Sequence, residues 1–457
     1  MSFASPEFIF IFLPITILVF HFLKCFSKRS LAIDFLILAS LFFYSFNSLN
    51  NLPILICSLL FNYFIAKKIS KFNLNLDVGL KKALFIMGIS INIVFLSYFK
   101  YFDVLPLGIS FFTLIQIMYL VDSYQGTVQA NNFREHSIFV AFFPTLTMGP
   151  LIRAKSFIPQ INSFLSSELK LIRIEQGILL FCLGLYKKVV ISYGFARIAN
   201  AGYSSENQLS FVEAFLASSA FTFQLYFDFS GYSDMAIGIA ILLGFVIPIN
   251  FRSPYLATSI IDFWARWHIT LSSFITNYLF TPIIKTFSKV TIREAVLATL
   301  VSMLIAGIWH GAGINFIIFG LIHGICLGIN RVWKSYKIKM PSLLGWFLTF
   351  IVVNVSFIFF RANDFSQAME ILSSLLFFGG IADTSSLETY IRKPELLPII
   401  FSTLCGLSIV FLKINSNDFA DNASRDFRTI FICVVLFSIS IIYLNSSIGG
   451  GFIYNDF

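Results

Sequence analysis

The chain has 457 residues, of which 57% are hydrophobic, 18% aromatic and only 12% charged, with a formal net charge of +9. A mean hydropathy of +0.84 leaves more apolar side chains than a soluble globule can hide, which excludes a soluble enzyme or binding module and implies an integral membrane protein. In such a protein a basic excess reports cytoplasmic loops, so the charge does not argue for nucleic acid.

Apolar runs of spanning length, about 17 to 25 residues, recur from end to end with short polar breaks. They predict an all-α polytopic protein with roughly eleven or twelve helical segments rather than a barrel, whose strands would show as short alternating stretches. No internal repeat is evident, and one membrane domain over residues 1–457 is expected. The first run, Phe8 to Phe22, follows Glu7 and precedes Lys24, Lys28 and Arg29. It lacks a basic leader and a small-residue cleavage site, so it reads as a retained first span. Uncharged Asn47, Asn50 and Asn51 follow the second span, and Lys67, Lys68, Lys71, Lys81 and Lys82 follow the third. Basic loops prefer the cytoplasm, which places the N-terminus outside, and Ala83 to Phe99 returns the chain outward.

From Lys100 the pattern degrades. The stretch LPLGISFFTLIQIMYLVDSYQG contains Pro106, Gly108, Thr113, Gln116 and Asp122, and Ala141 to Gln160 contains Pro144, Gly149, Pro150 and Arg153. Two readings fit: kinked helices ending in loops, or broken helices lining a cavity. Gly177 to Tyr193 reads as a helix whose Lys187 and Lys188 mark a boundary or snorkel from a tilted axis. A polar linker, Asn200 to Ser210, follows.

Ionisable side chains inside apolar runs cost several kcal/mol unless they find partners, so they mark interior or wet sites. Phe221 to Ile241 holds Asp228, Ser230, Ser233 and Asp234 among aromatics. Either acid would cap a helix beginning near Gly231 or Ser233, or would orient a histidine or line a polar channel. In Asn250 to Ser272, Pro254 breaks the chain, and Asp262 and Arg266 have pairing spacing on a helix. Trp264 and Trp267 suit a headgroup boundary, so this segment reads as a shallow helix bringing His268 inward. His268 is either a switchable imidazole or a structural one hydrogen-bonded near Ser272. His310 closes the deep run AVLATLVSMLIAGIW and precedes Gly311 and Gly313, which would leave it uncovered on one side. That is the setting of a general base: buried enough for tuning, open enough for a hydroxyl. His323 reads as structural, and His21 and His136 have no chemical company.

Several other chemistries have no support. The central histidines lack metal-ligand spacing. No GxSxG, P-loop or GxGxxG motif follows a strand. The six cysteines, Cys25, Cys57, Cys182, Cys326, Cys405 and Cys433, form no CxxC pair. Beyond Trp333 come a basic break (Lys334, Lys337, Lys339), a span from Leu343 to Phe360, a helix Phe365 to Phe378, and late spans Leu396 to Leu412 and Phe427 to Leu444. The loop Asp418 to Arg428 between the late spans mixes charges and reads as solvated.

The blocks LPLGISFFTLIQIMYLVDSYQG, YFDFSGYSDMAIG, NFRSPYLATSIIDFWARWHITLS and AGIWHGAGINFIIFGLIHG resemble the membrane-bound O-acyltransferases. The resemblance is to their bacterial branch of alginate O-acetylation proteins, peptidoglycan O-acetyltransferases and the D-alanyl transfer protein of teichoic acids. It covers about 105–331, flanked by helices in 1–104 and 332–457. It implies about eleven spans with re-entrant or short helices around a transmembrane tunnel. It makes His310 the catalytic base and His268 a second site histidine. Asp228, Ser230, Asp234, Trp267, Trp309 and Asn315 become supporting or tunnel-lining residues. The resemblance further implies the following for donor, partner and place. The donor is a cytoplasmic thioester such as acetyl-CoA, with no permanently bound cofactor and no metal. The partner is a periplasmic or membrane-anchored SGNH-type protein that delivers the acyl group to a polysaccharide. The place is a bacterial inner membrane. This chain departs from its relatives after His268. They continue with a tryptophan, an Arg-Asp pair and a Gly-Gly loop, whereas here Phe274, Thr276 and Asn277 precede PIIKTFSK. The ending FIYNDF only partly resembles the branch's aromatic terminus. A rival of another class is a transporter, with Asp228, Asp234 and the histidines as a midplane site, but it lacks the paired repeats that many transporters show.

Overall fold

In hydrocarbon every backbone N–H and C=O must be satisfied within the segment, so long apolar runs fold as helices. The computed structural model describes residues 1–26, 29–72, 78–102, 105–130, 132–164, 171–376, 380, 395–422 and 427–445, and among these every regular element is helical. Among the described residues eight helices are long and apolar enough to cross a membrane, and four shorter apolar ones accompany them (Ser30–Ser45, Ile109–Tyr124, Ile269–Ile284, Leu396–Phe411). The ending FIYNDF and its glycine run lie outside the described residues.

The chain divides into two compact units. The first comprises Met1–Cys182, Tyr232–Ile249 and Ala423–Cys433. Its span Phe8–Cys25 packs on the helix Arg29–Ser45. Asn51–Phe72 and Val78–Tyr101 are tied by a reciprocal amide pair, Asn62 Nδ2 to Asn92 Oδ1 at 3.2 Å and Asn92 Nδ2 to Asn62 Oδ1 at 2.7 Å. Buried amides paired in this way join helices where no hydrophobic force favours association.

The two degraded stretches resolve differently. Pro106 and Gly108 precede a continuous helix, Ile109–Tyr124, so that stretch is neither kinked nor broken within. Gly108 has φ +71°, and a Cβ on it would stand 2.8 Å from Leu146 O, so glycine is needed for this close approach. The second stretch is broken: helix Phe133–Ala141, a short turn Phe143–Leu146, irregular backbone to Arg153, then helix Ala154–Phe164. Residues 141–152 are all buried, so the irregular backbone is shielded by protein.

The second unit comprises Leu183–Gly231, Asn250–Asn422 and Val434–Phe457. Lys187 and Lys188, read as a boundary or as snorkelling side chains, are instead held inside the protein. They occupy a π-helical turn, Lys187–Ile191, inside a continuous helical run from Leu171 to Tyr203. Buried Lys187 donates from Nζ to Ser416 Oγ at 2.6 Å, and Lys188 pairs with Asp228. The same run carries helix past Asn200, so the polar linker begins only after Tyr203. Between the late spans, Asp418, Phe419, Asp421, Asn422, Phe427 and Arg428 are exposed and Ala420 is buried, as a solvated loop requires, with 423–426 outside the described residues; the short helix Ser416–Asp421 opens it on buried Ser416 and Asn417.

Candidate active site

His310 is the last residue of the helix Ile292–His310, which starts on a capping box of Thr291 and Glu294. The helix Ile314–Ser335 packs back along it on a glycine face. A Cβ on Gly320 would lie 2.5 Å from Met303 O and one on Gly324 would lie 3.2 Å from Leu300 Cα. Small residues here let the two backbones touch. The contact sets Phe319 against His310, with ring centroids 5.5 Å apart. Trp309 at 4.7 Å and Phe360 at 5.2 Å complete an aromatic shell, and His310 is 6% exposed. Gly311 does not leave the site bare: the Phe316 ring fills the space a Cβ would take. Gly313, with φ +114° and nothing within 4 Å, is the open position. Gly320→Val is expected to cost about 1–3 kcal/mol through overpacking, read as a lower melting temperature of the purified protein.

His268 arises from a different construction. The helices Ile260–Arg266 and Ile269–Phe274 meet at extended Trp267 and at His268, whose φ is +41°. A non-glycine residue holds that conformation only where its surroundings fix it, and Asn250 does so here. Its carbonyl accepts the Ile269 N–H at 2.9 Å, while its Oδ1 accepts the Thr270 N–H at 3.3 Å and hydroxyl at 2.8 Å. Asn250 is fully buried, and sequence reasoning missed it because an amide in a polar-flanked turn carries no motif. Asn250→Ala removes two hydrogen bonds to Thr270, a loss of about 0.5–1.5 kcal/mol each, and a melting curve would measure it.

The His268 ring meets Phe229 at 4.7 Å and Phe251 at 6.4 Å. Ser272 is not its hydroxyl partner as expected: that Oγ donates to Trp267 O at 3.2 Å. Burial pushes the His268 pKa down to about 3, which keeps the imidazole neutral. Relative to an unfolded value of about 6.5, this contributes stability that is present above about pH 6.5 and is lost as pH falls toward 3. His268→Asn is expected to flatten that part of the curve of melting temperature against pH.

Trp264 and Trp267 are buried within the protein. Trp267 packs on Phe251 at 5.1 Å and on Phe357 at 5.3 Å, and Phe357 meets Phe319 at 6.2 Å. The aromatic shells of the two histidines are therefore continuous. Trp264 Nε1 donates to His323 Nδ1 at 3.2 Å, which places the neutral ring's proton on Nε2, facing Ser356 Oγ at 2.9 Å. The Ser356 hydroxyl in turn donates to Val353 O at 2.8 Å. His323 thus ties three helices together, as its structural reading requires. The expected Asp262–Arg266 pair forms at 2.8 Å.

Among the supporting residues, Asp228 is not a cap, because Phe211–Leu242 is one unbroken helix. It pairs with Lys188 where Gly231 crosses closely over Gly184, and its neighbour Phe229 touches His268. Ser230 is buried with its Oγ unpartnered among the described residues. Asn315 donates to Ala362 O at 3.2 Å, closing the end of Ser342–Arg361. Asp234 is likewise not a cap, and it lies buried in the first unit. The departing residues Thr276 and Asn277 wall a cavity of about 420 Å³.

Residues 41–363 match the sequence model of MBOAT, the membrane-bound O-acyltransferase family. A peptidoglycan O-acetyltransferase of Helicobacter pylori is 34% identical, covering 100% of this chain and 98% of its own length. The "Probable alginate O-acetylase AlgI" of Pseudomonas aeruginosa is 32% identical over 83% of this chain and 75% of its own. A teichoic acid D-alanyltransferase of Streptococcus thermophilus is 29% identical over 56% of this chain and 69% of its own. With its helical membrane architecture and this match, the chain is a member of the membrane-bound O-acyltransferase family and an acyltransferase enzyme.

Proposed function

We propose that this chain moves an acetyl group from cytoplasmic acetyl-CoA to a hydroxyl on the far side of a bacterial inner membrane, toward O-acetylation of peptidoglycan, with its N-terminus outside. The observation that carries the reading is similarity along the whole chain to a protein named peptidoglycan O-acetyltransferase, where the alginate and teichoic acid relatives cover less. His310 takes the proton of the acceptor hydroxyl as its oxygen attacks the thioester carbonyl. The tetrahedral adduct then expels the thiolate, which recovers that proton, leaving an ester and a free thiol. His268, held neutral and fixed by Asn250, positions a substrate. The aromatic shells exclude water that would hydrolyse the thioester. Asp228, Ser230, Trp267, Trp309 and Asn315 support the two histidines. An SGNH-type partner carries the acetyl group onward to the glycan.

Deletion of the gene tests the assignment by mass spectrometry of muropeptides. O-acetylated species are expected to disappear and to return with the wild-type chain but not with His310→Ala. Unchanged muropeptides, with acetyl lost from a secreted polysaccharide or D-alanine lost from teichoic acid, would assign the acceptor elsewhere.

A further inference from the structure

The cavity behind Thr276 and Asn277 has a chemistry the acyl-transfer site does not use. It lies between the segment Ile260–Ile284 and the helix pair Ile292–His310 and Ile314–Ser335. Its body is apolar, with Ile261, Trp264, Phe280 and Met303 among its walls. Four of its hydroxyls are committed to backbone: Ser302 donates to Ala298 O at 2.7 Å, Thr299 to Ala295 O at 2.7 Å, Thr276 to Ser272 O at 2.8 Å and Ser272 to Trp267 O at 3.2 Å. Asn277 likewise donates to Ser273 O. A sugar or other polyol would find few donors there.

Arg331 is the exception. Its guanidinium lies 4.9 Å over the Phe280 ring, its buried Nε has no hydrogen-bond partner, and it forms no ion pair among the described residues. A guanidinium offers a fork suited to phosphate or carboxylate. The same end of the helix pair carries exposed Lys285, Lys289, Arg293, Lys334, Lys337 and Lys339 against Glu294 alone. Such a basic rim at a membrane surface attracts anionic lipid headgroups. Beside the cavity, Leu297 and Ile329 are 48% and 59% exposed, so apolar surface on the same two helices faces the bilayer.

We propose that this cavity is a binding site for one anionic phospholipid, its acyl chain on the apolar walls and its phosphate on Arg331. The full-length protein in nanodiscs of phosphatidylcholine with phosphatidylglycerol should retain one phosphatidylglycerol per chain by native mass spectrometry. Arg331→Gln should weaken retention by about ten-fold or more, the effect of one charge-assisted contact. Arg331→Lys should keep most of it, and Ser302→Phe, which fills the cavity without touching the charge, should abolish it. Equal retention by wild type, Arg331→Gln and Ser302→Phe would overturn the proposal. Displacement of the lipid by added coenzyme A would also overturn it, assigning the cavity to a phosphate-bearing thioester instead.

Discussion

Acyl transfer by membranes carrying His310→Ala is expected to fall by about 10² to 10⁴, the contribution of a positioned general base, with protein abundance unchanged. The residue ends its helix, so removing the ring leaves the capping box, the glycine-packed helix pair and the backbone hydrogen bonds intact. The imidazole does fill space between Trp309, Phe319 and Phe360, and alanine leaves a void there. His310→Gln keeps the bulk and polarity without a base of comparable strength, so it should be as inactive as alanine and closer to wild type in melting temperature. Activity retained by glutamine would reduce His310 to a packing residue.

The second large effect concerns Lys188 and Asp228. Both side chains are nearly inaccessible, at 9% and 5% exposure, and the pair sits where two helices cross on glycines. Removing one partner takes the counter-charge from the other in a buried interior. Asp228→Asn or Lys188→Met should therefore cost about 3–5 kcal/mol, and replacing both with apolar residues of similar volume should recover most of it. Thermal unfolding of the purified variants measures this. Because Phe229 follows Asp228 and packs on His268, the single variants should also lose activity. A variant that melts like wild type yet is inactive would instead give Asp228 a direct role in chemistry.

Membrane class and the helical architecture were legible in the sequence because they rest on runs of apolar residues, and the burial of His268 and His310 was legible from the apolar company each keeps. What the sequence hid was set by distant partners. Lys187 and Lys188 resemble a helix boundary until Ser416 and Asp228 arrive from other segments to hold them inside. Asp228 resembles a cap because helix N-termini and buried ion pairs use the same residue types. Trp264 and Trp267 resemble interface anchors, but His323 and Phe357 give them buried partners. Asn250, Ser356 and Arg331 act through contacts with remote segments, and no local spacing could announce them. The departure after His268 proved informative in place rather than in kind, since Thr276 and Asn277 border a cavity instead of forming a charge pair. Family membership also retires the transporter reading.

The central claim is that this chain transfers an acetyl group with His310 as base. Purified protein in sealed proteoliposomes, given radiolabelled acetyl-CoA on one face and a hydroxyl acceptor on the other, tests it most directly. Labelled ester is expected on the acceptor with wild-type protein, and at least about a hundred-fold less with a folded His310→Gln variant; equal labelling by the two proteins would rule His310 out as the base.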